Sequence, residues 1–173
     1  MKRALMWLVG WALVGIVGGL IWHSVAKPAH FERLFGNWLM GQFEMSRRFF
    51  VDGWFLVIGL SAGCLTGLVQ ARRGNSPGHT INLVVALVGS LVASVVAWRV
   101  GLALAPSAQA LAALAKDAAE GAKVPDVFEL GWVGVLAAWP MGCLVGFVIG
   151  LLAPLSARDG SDHRLGGSHQ IMG

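Results

Sequence analysis

The chain has 173 residues, of which 56% are hydrophobic and 13% are charged, and its formal net charge is +4 at pH 7. These values lie outside the range of soluble globular domains and indicate a multi-pass membrane protein. The basic residues form short clusters beside apolar segments instead of one patch, which argues against a nucleic-acid partner.

Four apolar segments are each long enough to cross a bilayer as a helix, which takes about 17–25 residues. They are residues 6–22, 54–70, 81–104 and 131–155. We therefore expect an all-α protein, a four-helix transmembrane bundle that forms a single domain over residues 1–156. Residues 157–173 are rich in Gly, Ser and His, and we expect them to form a disordered cytoplasmic tail.

The first segment has a second interpretation. Lys2 and Arg3, the apolar run that follows and the small residues before Lys27 also form the pattern of a signal peptide. The run is longer than the usual apolar region of about 7–15 residues, which favours a retained span over a cleaved one.

The basic residues set the expected orientation, because cytoplasmic loops retain Lys and Arg during insertion. One side of the bilayer would hold Lys2, Arg3, Arg72, Arg73, Arg158 and Arg164. In the two loops on the other side, acidic residues outnumber basic ones. We therefore expect a plasma-membrane protein with both termini in the cytoplasm and the lipid bilayer as its first partner.

The loop between the first two spans carries an apolar stripe at helical spacing. The stripe consists of Phe31, Leu34, Phe35, Trp38, Leu39 and Phe43. It predicts an amphipathic helix that lies in the outer membrane interface. The helix would either pack over the mouth of the bundle or bind a partner helix, because both uses need the same stripe.

The loop between the third and fourth spans predicts a short helix that faces solvent. Its Ala-rich and Leu-rich sequence favours helix, with Ser107 as the N-cap and Gly121 at the end. Its charged residues are typical of a solvated surface.

A weak internal repeat relates the two halves of the chain. The first and third spans share Ala-Leu-Val-Gly, and the second and fourth share Gly-Cys-Leu-x-Gly. A duplicated helical hairpin would relate the halves by a pseudo-twofold axis along the membrane normal. It would place Cys64 and Cys143 at a similar depth. Chance similarity between apolar segments is the alternative.

Glycines recur every fourth residue in the second and fourth spans, where small residues let helix backbones approach closely in lipid. They are Gly59, Gly63 and Gly67, and Gly142, Gly146 and Gly150. This spacing serves either packing within the bundle or contact between copies of the chain in a homo-oligomer.

Arg99 is the one formally charged residue within the four spans, and charge inside a membrane is costly. It could act as a structural clamp near the interface, paired with an acidic residue of the outer loops, or it could bind an anionic ligand. The candidate acids are Asp52, Glu129 and Glu32. The spans hold no second cation and no acid, which favours the clamp.

Pro140 follows Trp139 within the fourth span and predicts a kink there, while Trp139 is expected to be a packing residue. Neither cysteine has the electropositive surroundings of a reactive thiol. No two histidines fall on facing helices at one depth, as haem ligation by two histidines would require. The sequence therefore predicts no catalytic residue, no cofactor and no metal site.

A family resemblance is carried by FVDGWFLVIGLSAGCLTGLVQARR, VALVGSLVASVVAWRVG and FELGWVGVLAAWP. These segments lie within residues 48–153 and resemble a family of small four-span integral membrane proteins from actinobacteria, catalogued as a domain of unknown function. The resemblance implies a multi-pass plasma-membrane protein without an assigned activity. It carries over no catalytic or binding residue.

Two functions are consistent with these features. The first is a non-enzymatic accessory or scaffold component of a larger membrane complex, which the glycine faces and the aromatic stripe favour. The second is a small transporter or channel, which the repeat, Pro140 and Arg99 favour. A proton-coupled or sodium-coupled transporter usually needs a carboxylate near the membrane midplane, and all acidic residues lie outside the spans. We therefore prefer the first.

Overall fold

The computed structural model describes the backbone of residues 2–73 and 79–165, and the side chains within residues 6–72 and 80–152. Its elements are α1 (Lys2–Val25), β1 (His30–Leu34), β2 (Asn37–Leu39), α2 (Gln42–Arg73), α3 (His79–Leu104), α4 (Ala108–Lys116), β3 (Lys123–Pro125), a 3₁₀ helix (Val133–Ala137) and α5 (Ala138–Leu165). Four helices are long and apolar enough to cross a membrane, which confirms this part of the expected fold. The three strands form one small sheet, so the protein is not all-α.

Helices α1 and α3 pack side by side through glycine. A β-carbon added to Gly15 would lie 2.5 Å from the carbonyl oxygen of Ala93, and one added to Gly19 would lie 2.6 Å from that of Ala97. Both contacts advance by four residues in the same direction, so the two helices are parallel. The absence of side chains at these glycines is what permits the close approach.

Helices α2 and α5 form a second parallel pair with glycine on both sides. A β-carbon on Gly67 would lie 2.8 Å from the amide nitrogen of Phe147, and one on Gly146 would lie 2.7 Å from the carbonyl carbon of Cys64. The carbonyl oxygen of Cys143 lies against Gly67 in the same way. These glycines therefore pack within the chain, and Cys64 and Cys143 lie at a similar level along the paired helices.

Trp139 fills the space between the two helix pairs. Its side chain is completely buried and contacts Gly18 of α1 and Gly59 of α2. Its ring centroid lies 6.4 Å from that of Phe55, which in turn packs edge-on against Trp22 at 5.0 Å. The expectation that Trp139 is a packing residue is confirmed.

Pro140 does not kink the middle of a helix. It is the third residue of α5, the helix that directly follows the 3₁₀ helix. Proline is tolerated in the first turn of a helix because the N–H that it lacks would have no helical partner there. The apolar fourth segment therefore forms two pieces, and the expected kink is instead a junction between a 3₁₀ helix and an α-helix.

The loop after α1 forms a β-hairpin, so the expected amphipathic helix over residues 31–43 is wrong. Strand β1 pairs with β2 through a two-residue turn in which both Phe35 (φ 53°) and Gly36 (φ 75°) adopt left-handed conformations. Such a turn matches the twist of two antiparallel strands. The other edge of β1 pairs with β3, a partner about 90 residues away that helical periodicity does not detect.

The helix expected after the third span is present, with a different end. The backbone N–H of Ala110 donates to the Ser107 hydroxyl at 3.2 Å, which confirms the predicted N-cap of α4. The helix ends at Lys116 with Asp117 as its C-cap, whereas Gly121 (φ 79°) occupies the turn that leads into β3. The predicted role of Gly121 as the helix end is therefore wrong.

The tail expected to be disordered begins inside α5. The helix continues to Leu165, so residues 157–165 are helical, in contrast to that expectation. Residues 166–173 lie outside the described part of the chain.

Candidate functional site

The sheet, α4 and the loops around them cover one end of the helices, which we call the sheet end. Its attachment to the helices centres on Trp22, whose indole N–H donates to the carbonyl of Val51 at 2.9 Å in a buried hydrogen bond. The ring of Phe128 lies 4.5 Å from that of Trp22 and 5.3 Å from that of His23. This aromatic cluster joins α1, α2 and the segment before α5.

Ion pairs surround the cluster at the protein surface. Arg48 on α2 lies 3.6 Å from the carboxylate of Asp126 and 3.9 Å from that of Glu129. Glu44 accepts a 2.8 Å hydrogen bond from the backbone N–H of His30. Arg48 and Glu129 are exposed, so water screens the attraction between them. Together these contacts connect α2 to β1 and to the segment after β3.

Asp52 joins the two halves of the chain by a different contact from the one expected. Its Oδ1 accepts a 3.0 Å hydrogen bond from the backbone N–H of Gly131, just before the 3₁₀ helix. The carboxylate thus satisfies a backbone donor in a segment without regular secondary structure, which stabilises the loop that leads into the 3₁₀ helix and α5.

Arg99 does not form the expected clamp. Within the described residues, no ion pair joins Arg99 to Asp52, Glu129 or Glu32. Its side chain is exposed, and its guanidinium carbon lies 5.1 Å from the ring centroid of the neighbouring Trp98. The acids have other partners, since Glu129 faces Arg48 and Glu32 lies 3.8 Å from Lys123.

The hairpin tip projects Phe35 away from the rest of the chain. Phe35 is 93% exposed, and its φ of 53° is one that few side chains other than Gly, Asn or Asp adopt. Trp38, on the returning strand opposite Arg33, is half-buried. The structure therefore does not bring Phe35 and Trp38 onto one apolar stripe, and Phe35 stands alone at the tip.

The hairpin is fixed to the segment after α4 at three points. The backbone N–H of Gly121 donates to the carbonyl of Arg33 at 2.8 Å, and the N–H of Arg33 donates to the carbonyl of Ala122 at 3.1 Å. The Arg33 guanidinium also donates to the carbonyl of Ala118. These bonds hold the turn that carries Phe35 in a defined position.

Sequence reasoning missed two contacts that organise this end. The hairpin turn has a local signal in Gly36, because glycine readily adopts the left-handed conformation that this turn needs. Ser94, buried on α3, donates a 2.9 Å hydrogen bond to the carbonyl of Leu136 in the 3₁₀ helix, and nothing in the local sequence indicates it.

The polar side chains buried in the described part of the chain are few. They are Gln70, Ser90 and Ser94. In the same residues, no group of three or more His, Cys, Asp or Glu side chains is placed to bind a metal ion. The distinctive feature of the sheet end is a surface with exposed aromatic side chains, of which Phe35 at the hairpin tip is the most exposed.

Comparison of the chain with known proteins found no match. No protein-family model matches the sequence. No curated protein and no solved structure is significantly similar to the chain.

Proposed function

We propose that this chain is a plasma-membrane protein that crosses the bilayer four times, with both termini in the cytoplasm and the sheet end outside. The four apolar helices support the spans. The charge distribution supports the orientation, because Arg72 and Arg73 end α2, and that end of the helix lies opposite the sheet. The resemblance to the actinobacterial four-span family implies the same arrangement.

Within that arrangement, we propose a non-enzymatic accessory or scaffold component of a larger membrane complex. The observation that carries the proposal is the conformation of Phe35. A left-handed φ costs a non-glycine residue about 1–3 kcal/mol, and a 93% exposed ring recovers almost none of that cost by packing within the chain. A strained, exposed aromatic residue is explained if it packs into a pocket on another protein.

The surroundings of Phe35 suit an anchor residue. Aromatic side chains dominate the binding energy of many interfaces when they enter a partner's pocket. The three bonds between the hairpin and the segment after α4 hold the tip in place before binding, which lowers the entropy lost on association. The partner's pocket would be apolar and would lie close to the outer membrane surface.

The test is affinity purification of tagged wild type and Phe35→Asn from native membranes, with the bound proteins quantified by mass spectrometry. Asn tolerates the left-handed conformation, and Asn-Gly is a preferred pair in this turn, so the variant should be at least as stable as wild type. We expect it to lose a stoichiometric membrane-protein partner. Leu114→Gln removes another exposed apolar side chain at the same end and should retain the partner.

Two results would contradict the proposal. One is a partner that remains bound to Phe35→Asn at the wild-type ratio. The other is equal loss of the partner from Phe35→Asn and Leu114→Gln, which would indicate a general surface effect instead of an anchor. The Phe35→Ser and Trp38→Ser variants distinguish the contribution of the turn residue from that of the strand residue. Only Phe35→Ser should release the partner.

A small transporter or channel is the second candidate, and the register of the helix pairs favours it. Gly15 contacts Ala93 and Gly19 contacts Ala97, in each case 78 residues apart, while a β-carbon on Gly63 would lie 3.2 Å from Gly142, 79 residues away. Each helix thus packs against its counterpart in the proposed duplication, and repeats of this kind are common in transporters. Liposomes that contain the protein would then show a saturable flux that empty liposomes lack.

A further inference from the structure

Helices α1 and α2 leave a groove between them over much of their length. At the end opposite the sheet, the groove has a volume of about 550 Å³ and is lined by Trp7, Gly10, Trp11, Leu65, Thr66 and Gln70. A second hollow of about 310 Å³ continues along the same two helices toward the sheet end, between residues such as Val17 and Ile58. Val14 lines both hollows, so they adjoin each other along α1 and together make up the groove.

The polarity of the groove changes along its length. The part nearer the sheet is lined only by apolar residues and glycine, including Leu13 and Ile21. The opposite part contains the Thr66 hydroxyl and the carboxamide of Gln70, whose residue is only 8% exposed. One end of the groove therefore suits hydrocarbon, and the other end can form hydrogen bonds.

Positive charge is concentrated at the polar end. Arg3 precedes Trp7 by four residues on α1, and Arg73 follows Gln70 by three residues on α2. Both arginines therefore belong, by sequence, to the helix ends that border this part of the groove. A ligand with an anionic group at one end and hydrocarbon at the other matches this distribution.

We propose that the groove binds one anionic phospholipid. An acyl chain lies along the apolar part, and the phosphate lies at the polar end, where Gln70 can donate hydrogen bonds and the basic sequence of the adjoining helix ends favours an anion. The lining runs from Met6 to Ile21, which corresponds to about 22 Å of helix and exceeds the roughly 15 Å of hydrocarbon in one leaflet. The volume of the larger hollow lies within the range of about 300–1,000 Å³ for small-molecule sites.

The test fills the groove without disturbing the helices. A β-carbon on Gly10 would meet no atom within 4 Å, so Gly10→Leu should occupy the groove and leave the fold intact. Gly53→Leu is the matched control, because Gly53 also has open space around it and lies near the sheet end of α2. Each protein is delipidated in mild detergent and titrated with phosphatidylglycerol or phosphatidylcholine, and bound lipid is counted by native mass spectrometry.

Wild type and Gly53→Leu should retain one phosphatidylglycerol molecule, with phosphatidylcholine bound at least tenfold more weakly. Gly10→Leu should weaken phosphatidylglycerol binding at least tenfold. The double variant Arg3→Gln/Arg73→Gln should bind the two lipids with nearly equal affinity, and it tests the proposal independently of groove filling.

Three results would overturn the proposal. The first is undiminished phosphatidylglycerol binding by Gly10→Leu, and the second is equal binding of the two lipids by wild type. The third is a dimer that Gly10→Leu dissociates, because it would make the groove a contact between two copies of the chain. None of these results bears on the partner of Phe35, since the groove and the hairpin lie at opposite ends.

Discussion

The hydroxyl of Ser94 on α3 donates a 2.9 Å hydrogen bond to the carbonyl of Leu136, four residues before Pro140. In an α-helix, that carbonyl would accept the N–H of the residue at position 140, and proline has no N–H to donate. Ser94 is completely buried, so its hydroxyl supplies a donor where water does not reach. This contact connects α3 to the 3₁₀ helix that precedes α5.

We expect Ser94→Ala to lower the free energy of unfolding by about 0.5–1.5 kcal/mol, because it removes the hydrogen bond from the Ser94 hydroxyl to the carbonyl of the half-buried Leu136. Pro140→Ala restores an N–H at position 140 and should reduce the effect of Ser94→Ala when the two are combined. A double-mutant cycle of unfolding in detergent measures this coupling. Additive effects would show that the hydroxyl does not replace the donor missing at Pro140.

Substitution by Ala should have opposite effects at a glycine in close contact between α2 and α5 and at a glycine beside open space on α1. Gly146→Ala forces a β-carbon against the backbone of Cys64 and should cost about 1–3 kcal/mol, as overpacking does. Gly10→Ala meets open space and should stabilise α1 by up to about 1 kcal/mol through helix propensity. Thermal unfolding in one detergent compares them, and equal Tm values would contradict the close packing.

The Asp52 contact predicts a graded loss of stability. Asp52→Ala removes the acceptor for the Gly131 N–H and should cost about 0.5–1.5 kcal/mol, while Asp52→Asn retains an oxygen acceptor and should cost less. Unfolding by denaturant in detergent provides the comparison. If Asn and Ala are equally destabilising, the negative charge of Asp52 matters more than its hydrogen bond.

The proposed orientation predicts which surface positions react from outside the cell. In a background with Cys64 and Cys143 replaced by Ala, Asn37→Cys on β2 should react with a membrane-impermeant maleimide in intact cells. Arg72→Cys at the other end of α2 should react only after permeabilisation. Both wild-type side chains are exposed, so accessibility within the folded chain should not limit either reaction. The reverse pattern would invert the topology.

Composition and local periodicity were sufficient to predict the helical core. Long apolar segments form helices because a helix satisfies its own backbone, and glycines every fourth residue in α2 and α5 indicated where backbones meet. The hairpin was missed because Phe31, Leu34, Phe35 and Trp38 fit a helical stripe. Pairing with β3 decides their conformation, and that partner is distant in sequence.

The site was only partly predictable. Phe35 was a candidate as one member of a stripe, but its isolation at a turn depends on the left-handed conformations of Phe35 and Gly36. The clamp expected at Arg99 failed for a different reason. The partners of Asp52 and Glu129 are a backbone N–H and Arg48, and three-dimensional proximity determines which of several nearby groups a carboxylate contacts.

The central claim is that Phe35 enters a pocket on a membrane-protein partner, and photo-crosslinking from position 35 tests it most directly. A benzophenone amino acid replaces Phe35 in native membranes, and in a control it replaces Val88, an exposed residue of α3. We predict one discrete protein adduct from position 35 and only lipid adducts from position 88. Lipid adducts alone at both positions would contradict the claim and would place the hairpin tip in the membrane interface.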